Sequence, residues 1–167
     1  GYLAGTHARD KDAVVASMLI CEMAAYYKSQ GKTLIDVMNG LYDEFGYYCN
    51  TVQSYTFEGA AGMEKMAAIM DGLRDNKPSS FAGYEVTKID DYKTSKSTIV
   101  KTGEESEITL PKSNVLAYTL TNGNKVIVRP SGTEPKIKAY ITAIGQSEEN
   151  AKEIAQKLLD DANELMK

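Results

Sequence analysis

Cysteine and long apolar runs are scarce in this sequence, and each shortage excludes a class of protein. Cys21 and Cys49, the two cysteines, are too few for a disulfide framework and do not have the spacing of metal ligands. We interpret both as reduced thiols of a cytoplasmic protein. No apolar run approaches membrane-spanning length and no signal peptide is visible, so a membrane protein is not expected.

An excess of positive charge is absent as well. The chain of 167 residues has 19 Lys and Arg against 23 Asp and Glu, which gives a net charge of −4. A broad nucleic-acid-binding surface is therefore not expected. The composition, 43% hydrophobic and 25% charged, is ordinary for one globular domain or a domain plus part of another. Because the chain begins at Gly1 without a methionine, we expect it to be a piece of something longer.

Against this acidic background, one eight-residue stretch that begins at Arg129 concentrates groups that bind anions; it reads Arg-Pro-Ser-Gly-Thr-Glu-Pro-Lys. Arg129 can donate two parallel hydrogen bonds to phosphate oxygens. Ser131 and Thr133 can each donate a hydroxyl hydrogen, and Gly132 can let backbone amides approach an anion closely. Lys138 adds a positive charge from the segment that follows. This pattern predicts a site for a small dianion such as phosphate.

The same residue types also fit a purely structural turn. Serine and threonine hydroxyls often bond only to backbone in tight turns. Short motifs also have high false-positive rates. From residue types alone, the two interpretations have about even support.

Hydrophobic periodicity predicts two helices at the start of the chain. Asp10 or Asp12 can cap the first, which ends at Gly31, and Thr33 starts the second with Asp36 as its capping-box partner. The first helix has an apolar stripe that we expect to be buried, formed by Val14, Val15, Met18, Leu19 and Met23. No sheet precedes these helices, so they fit the end of a domain.

Residues 46–50 are predicted to be a connection, and an α+β domain follows. Residues 93–107 form a polar excursion with room for a short strand at 98–101, and Asn122-Gly123 predicts a type I′ hairpin turn. The predicted strands are 51–57, 84–92, 115–120, 125–129 and 137–144, with a helix over 59–74 and a last helix capped by Ser147. The fold class is therefore α+β, with a small, mostly antiparallel sheet flanked by two helices.

Arg-Pro-Ser-Gly-Thr-Glu-Pro resembles the phosphate-binding loop in the last domain of the α-D-phosphohexomutases, the phosphoglucomutase and phosphomannomutase family. Gly1-Tyr2-Leu3 and the later Arg9-Asp10-Lys11-Asp12 resemble the segment that follows the sugar-recognition loop of the family's third domain. The resemblance covers essentially the whole chain. It implies that residues 1–48 are the C-terminal helices of the third, sugar-binding α/β domain. Residues 51–167 would be the TBP-like C-terminal phosphate-binding domain.

The resemblance also implies roles for individual residues. Arg129, Ser131, Gly132, Thr133 and Lys138 would hold the phosphate of the substrate that does not react.

A second group of residues is implied for the active-site cleft. Lys11 corresponds to a lysine that faces this cleft in the family, with Arg9 and His7 close by. The family's phosphoserine loop and magnesium-binding loop belong to earlier domains and have no counterpart here. No catalytic or metal-binding residue is therefore predicted in this chain.

The implied parent enzyme is an isomerase that acts as an intramolecular phosphotransferase. It would interconvert hexose 1-phosphate and hexose 6-phosphate through a phosphoserine enzyme and a bisphosphorylated sugar. Mg²⁺ and a glucose 1,6-bisphosphate-type activator would be its cofactors. The hexose phosphate and the upstream domains of the same chain would be the partners, with no nucleic acid and no membrane. The chain alone would be inactive.

One alternative stays open at this point. The chain could be a non-catalytic interaction domain whose basic loop binds a phosphate or an acidic group of a partner. The sequence does not separate a preference for glucose from one for mannose, because the sugar loop lies outside it.

Overall fold

Two units, divided between Phe45 and Gly46, make up the computed structural model, which describes residues 2–59 and 61–166. The first unit contains helices α1 (Ala13–Ser29) and α2 (Leu34–Phe45). The second unit contains the remaining elements, in the order β1 (Tyr47–Thr56), α3 (Gly62–Asp75), β2 (Ser80–Phe81), β3 (Tyr84–Asp91), β4 (Lys96–Ile99), β5 (Glu105–Glu107), β6 (Leu116–Leu120), β7 (Lys125–Pro130), β8 (Lys136–Gly145) and α4 (Glu148–Leu165).

The helix caps of the first unit are as predicted. Asp12 caps α1 because its side chain accepts hydrogen bonds from the amides of Val14 and Val15, at 3.1 and 3.0 Å. Hydrogen bonding, first from Val15 and then from His7, lowers the pKa of the Asp12 carboxyl. Thr33 and Asp36 form the expected capping box, with 2.8 Å between the Thr33 amide and the Asp36 carboxylate.

The predicted burial of the α1 apolar stripe is wrong. No residue of α1 or α2 in the described chain is buried, and Val14 is 80% exposed. A period of 3.6 residues identifies which side of a helix is apolar, but it does not show that anything covers that side. No helix in residues 2–59 and 61–166 has the length and apolarity needed to cross a membrane.

The second unit is built on an antiparallel sheet in the order β1-β8-β7-β6-β3-β4-β5, with β2 pairing separately with β3. Helix α4 packs on β8 and β1, and the buried residues of α3 and α4 join those of the strands in one core. This arrangement confirms the predicted fold class.

Strand β8 shows how the sheet divides its two faces. Its buried residues alternate along the strand and belong to the core: Ile137, Ala139, Ile141 and Ala143. Successive side chains of a strand point to opposite faces, so the residues between them lie on the face away from the core. We call this second surface the open face of the sheet; it carries Lys136, Lys138 and Tyr140.

Three of the predicted boundaries are wrong. The expected connection at 46–50 is mostly strand, because Tyr47 begins β1 and pairs with Gly145 of β8. Tyr47 and Tyr48 therefore lie in the sheet and not with the preceding helices. Of the two strands in residues 93–107, β4 overlaps the short strand expected at 98–101, whereas β5 was not expected. A further short strand, β2, lies between the predicted helix over 59–74 and the predicted strand at 84–92, where no strand was expected.

The helices of the second unit also differ in detail from the prediction. Helix α3 begins at Gly62 and not at residue 59. Met66 and Met70 are buried in the core, whereas Met63 is 45% exposed. Ser147 caps α4 by accepting a hydrogen bond from the Asn150 amide at 3.1 Å, which confirms that prediction.

The predicted hairpin joins β6 to β7, but its loop is one residue longer than a two-residue type I′ turn. The Leu120 amide donates to the Asn124 carbonyl at 2.8 Å, which leaves Thr121, Asn122 and Gly123 between the strands. Asn122 and Gly123 have φ values of 65° and 79°, both in the left-handed region that a type I′ turn requires. The turn places β7 beside β6, so that β7 ends, at Pro130, next to the start of β8.

Candidate functional site: an anion-binding concavity between β7 and β8

The loop of residues 131–135 joins β7 to β8 and is closed by its own hydrogen bonds. The Ser131 amide donates to the Lys136 carbonyl and the Lys136 amide to the Glu134 carbonyl, both at 2.7 Å. The Ser131 hydroxyl oxygen accepts from the amides of Thr133 and Glu134 at 3.3 and 3.2 Å. These bonds are those of a structural turn, but they use the oxygen only as an acceptor. The hydroxyl hydrogen of Ser131 remains able to donate.

The far end of the loop is held by the segment that precedes α3. The Phe57 amide donates to the Pro135 carbonyl at 2.9 Å. Gly62, the first residue of α3, lies against both: a Cβ there would be 3.0 Å from the Pro135 Cβ and inside the contact distance of the Phe57 carbonyl oxygen. The position of the loop thus depends on the absence of a side chain at Gly62.

The loop and the adjacent strand ends surround an open concavity of about 430 Å³. All five residues predicted to bind phosphate line it. The full lining consists of Arg129, Pro130, Ser131, Gly132, Thr133, Glu134, Lys136, Lys138 and Tyr140. Three cations and one carboxylate are therefore gathered at one place in a protein of net charge −4.

Arg129 and Lys138 are directly opposite each other in the pairing of β7 with β8. Both side chains are exposed, and neither has an ion-pair partner among residues 2–59 and 61–166. Like charges in opposite positions destabilise a sheet, by up to about 1 kcal/mol for a typical pair. An anion bound between the two side chains would remove that repulsion.

Glu134 is the one carboxylate of the concavity, and the structure gives it a partner. Its Oε2 lies 3.0 Å from the Nζ of Lys136, and both side chains are at least partly exposed. The Glu134 carboxylate is therefore paired with one of the three cations of the concavity.

Replacing Glu134 with glutamine is expected to strengthen the binding of inorganic phosphate by up to about fivefold. The substitution frees Lys136 and removes a negative charge beside the anion, and an exposed ion pair is worth about 0 to 1 kcal/mol. Calorimetric titration at low ionic strength measures the effect, which added salt should reduce. Glu105→Gln is the matched control, because Glu105 pairs with Lys96 at 2.7 Å away from the concavity. Unchanged or weaker phosphate binding by Glu134→Gln would contradict the expectation.

Gly132 differs from the expectation in one respect. Its φ lies outside the left-handed region, and a Cβ at this position would have no atom within 4 Å. The backbone alone does not require glycine here. Gly132 instead leaves space beside the loop that the rest of the described chain does not fill.

Sequence reasoning missed Tyr140 as a lining residue, and it included Lys136 in the motif without giving it a role of its own. The signal was the alternation along β8, since Lys136, Lys138 and Tyr140 are two residues apart and share the open face. Tyr140 was not considered because it lies beyond the end of the motif.

The predicted cleft residues His7, Arg9 and Lys11 lie in the first unit, before α1. All three are exposed. The His7 Nε2 is 3.0 Å from an Asp12 oxygen, and the Lys11 Nζ is 2.8 Å from Asp10, which lowers the pKa of the Asp10 carboxyl. All residues that line the concavity belong to the second unit. That His7, Arg9 and Lys11 face the same active-site cleft as the concavity therefore stays a prediction.

A sequence model of the phosphoglucomutase/phosphomannomutase C-terminal domain matches residues 64–161, which is more than half of the chain and includes the loop. The chain belongs to the phosphoglucomutase/phosphomannomutase family. The match confirms the family resemblance that the Arg-Pro-Ser-Gly-Thr-Glu-Pro motif indicated.

Similar proteins include two that are named phosphoglucomutases. Those of Staphylococcus epidermidis and Staphylococcus aureus are 38% and 41% identical to this chain over 160 and 142 residues. The matches cover 96% and 85% of this chain but 29% and 26% of the relatives. This chain therefore spans less than a third of their length.

A solved structure gives the same fold. The crystal structure of the exocytosis-sensitive phosphoprotein pp63/parafusin from Paramecium, a phosphoglucomutase in its open form, has a TM-score of 0.62 and covers 96% of this chain and 28% of its own. The two sequences are 15% identical, so the likeness concerns the fold alone.

Proposed function

We propose that this chain is the phosphate-binding part of a phosphohexomutase. The parent enzyme would interconvert hexose 1-phosphate and hexose 6-phosphate through a phosphoserine enzyme and a bisphosphorylated sugar. The observation that carries the proposal is the opposed pair of Arg129 and Lys138, exposed in a concavity and without a carboxylate partner in the described chain.

The concavity would bind the phosphate that is not being transferred. Arg129 donates two parallel hydrogen bonds, Lys138 adds an ammonium, and Ser131 adds its hydroxyl hydrogen; Thr133 and Gly132 line the remaining side. No bond is made or broken at this site. Binding energy spent on the distant phosphate positions the sugar for reaction elsewhere. Because the sugar must bind in both orientations, the site recognises the dianion and not its attachment point.

The remaining parts of the proposal concern groups outside this site. Mg²⁺ and a glucose 1,6-bisphosphate-type activator belong to the parent enzyme. Within residues 2–59 and 61–166 no three His, Cys, Asp or Glu side chains are grouped to hold a metal ion, so no step through a metal is assigned to this chain. The first unit would end the sugar-binding domain and the second unit would form the phosphate-binding domain. The boundary we propose falls after Phe45 and not after residue 48, because Tyr47 and Tyr48 are part of β1. The free thiols of Cys21 and Cys49 support a cytoplasmic location.

Titration of the chain with glucose 6-phosphate, followed through its amide resonances, tests the proposal. Shifts are expected at Gly132 and Thr133, with none at Gly72, a glycine of α3 outside the concavity. The affinity should be weak, because contacts to the sugar come from other domains. Absence of any shift near Gly132 would count against the proposal. A phosphoserine peptide that binds more tightly than any sugar phosphate would instead favour an interaction domain.

The chain alone should not convert glucose 1-phosphate into glucose 6-phosphate. A coupled assay for glucose 6-phosphate measures this directly. Turnover by the chain would show that catalytic groups had been assigned to the wrong part of the enzyme.

A further inference from the structure

The open face of the sheet changes character within two residues of the phosphate loop. At the level of Arg129 and Lys138, the paired residue of β1 is Ser54, so this row across β7, β8 and β1 is polar. Two residues further along β8, Tyr140 lies between Ile127 of β7 and Val52 of β1.

The row of Ile127, Tyr140 and Val52 is apolar and accessible. Tyr140 is 36% exposed and lines the concavity, and Val52 is 50% exposed. The next row is polar again, since the Thr142 hydroxyl donates to the Asn50 side chain at 2.8 Å. One apolar band therefore crosses three strands between two polar rows.

The spacing of the rows matches the size of a phosphate ester. Two residues along a strand span about 7 Å, so a phosphate held by Arg129 and Lys138 has the apolar band beside it at about that distance. The volume of the concavity, about 430 Å³, is many times the roughly 30 Å³ that a water molecule occupies, so the concavity has room for more than one phosphate group. Its volume lies in the range of small-molecule sites, about 300 to 1,000 Å³.

Tyrosine suits the surface on which the organic part of such a ligand would lie. Its ring offers a flat apolar face, and its hydroxyl can donate or accept a hydrogen bond. The Tyr140 hydroxyl has no protein hydrogen-bond partner among the described residues. A flat ring also imposes little direction, which suits a sugar that binds in two orientations.

We propose that Tyr140 contacts the organic group that carries the bound phosphate, so that the site extends from the loop onto the open face of the sheet. This inference rests on the proposed function, because it takes the dianion site at Arg129 and Lys138 as given. It makes Tyr140 the residue that separates a sugar phosphate from free phosphate.

Calorimetric titration of the chain with glucose 6-phosphate and with inorganic phosphate tests this. Tyr140→Thr is chosen because threonine is favourable in a strand. It is expected to lower the affinity for glucose 6-phosphate by about three- to tenfold. The affinity for inorganic phosphate should change by less than about twofold. Tyr140→Phe should retain most of the affinity for glucose 6-phosphate. Tyr48→Ala is the control, because Tyr48 is 44% exposed on the same face but lies outside the concavity. This variant should leave the affinity for both ligands unchanged.

A second measurement needs no variant. Glucose 6-phosphate should shift the amides of Val52 and Ile127, whereas inorganic phosphate should leave them unchanged. If Tyr140→Thr lowered the affinity for both ligands equally, or for neither, the role of Tyr140 would be overturned while the dianion site would stand. Failure of the unmodified chain to bind either ligand would overturn the proposed function together with this inference.

Discussion

Glutamine in place of Arg129 is expected to weaken the binding of glucose 6-phosphate by about 10- to 150-fold. Hydrogen bonds between charged groups are worth about 1.5 to 3 kcal/mol, and each 1.4 kcal/mol is tenfold in affinity. The fold should be unaffected, because Arg129 is exposed and has no ion-pair partner within the described residues to lose. Removal of a charge opposite Lys138 should leave the free energy of unfolding equal or slightly higher.

Lys125→Gln is the matched control for Arg129→Gln. Lys125 is an exposed cation on the same strand and the same face, four residues earlier, and it does not line the concavity. Calorimetric titration of both variants separates a local contact from a general loss of positive charge. Comparable weakening by the two substitutions would show that the chain attracts phosphate without a defined site.

Alanine at Gly62 is expected to lower the free energy of unfolding of the second unit by about 1 to 3 kcal/mol, the usual range for overpacking. Its Cβ would press on the Phe57 carbonyl and lie 3.0 Å from the Pro135 side chain. Because Pro135 ends the loop of residues 131–135, affinity for phosphate should fall as well.

Gly72→Ala in the same helix should have the opposite effect. A Cβ at Gly72 would have no atom within 4 Å, and alanine in a helix interior is more favourable than glycine by about 0.5 to 1 kcal/mol. Urea unfolding, followed through amides of the second unit, measures both variants, and phosphate titration measures the loop. Equal behaviour of the two alanines would refute the packing argument.

The loop was predictable because its chemistry is local. Arg129, Ser131 and Thr133 are close in sequence, and their grouping with a glycine indicates an anion before any fold is known. Tyr140 could not be assigned in the same way, since its place in the concavity depends on its register with β7 and β1.

The errors in the fold have a similar origin. Gly46 marks a turn, but the strand that begins at Tyr47 depends on pairing with Gly145, far away in the chain. The stripe of α1 was recognised from its period, yet burial depends on what packs against it. Local patterns therefore identified the helix caps and the presence of the hairpin, whereas the remaining strands and the burial of α1 depended on contacts between distant parts of the chain.

Strand β8 carries core residues at odd-numbered positions and two of the three cations of the concavity, Lys136 and Lys138, at even-numbered ones. A slip of one residue in its pairing would exchange the two sets. Lys136 and Lys138 would then be pressed against the helices, where an unpaired ammonium is strongly unfavourable. The lysines of the proposed phosphate site thus also penalise misaligned strands during folding. A variant that neutralised both lysines would lose a safeguard of the native register along with the proposed affinity for phosphate.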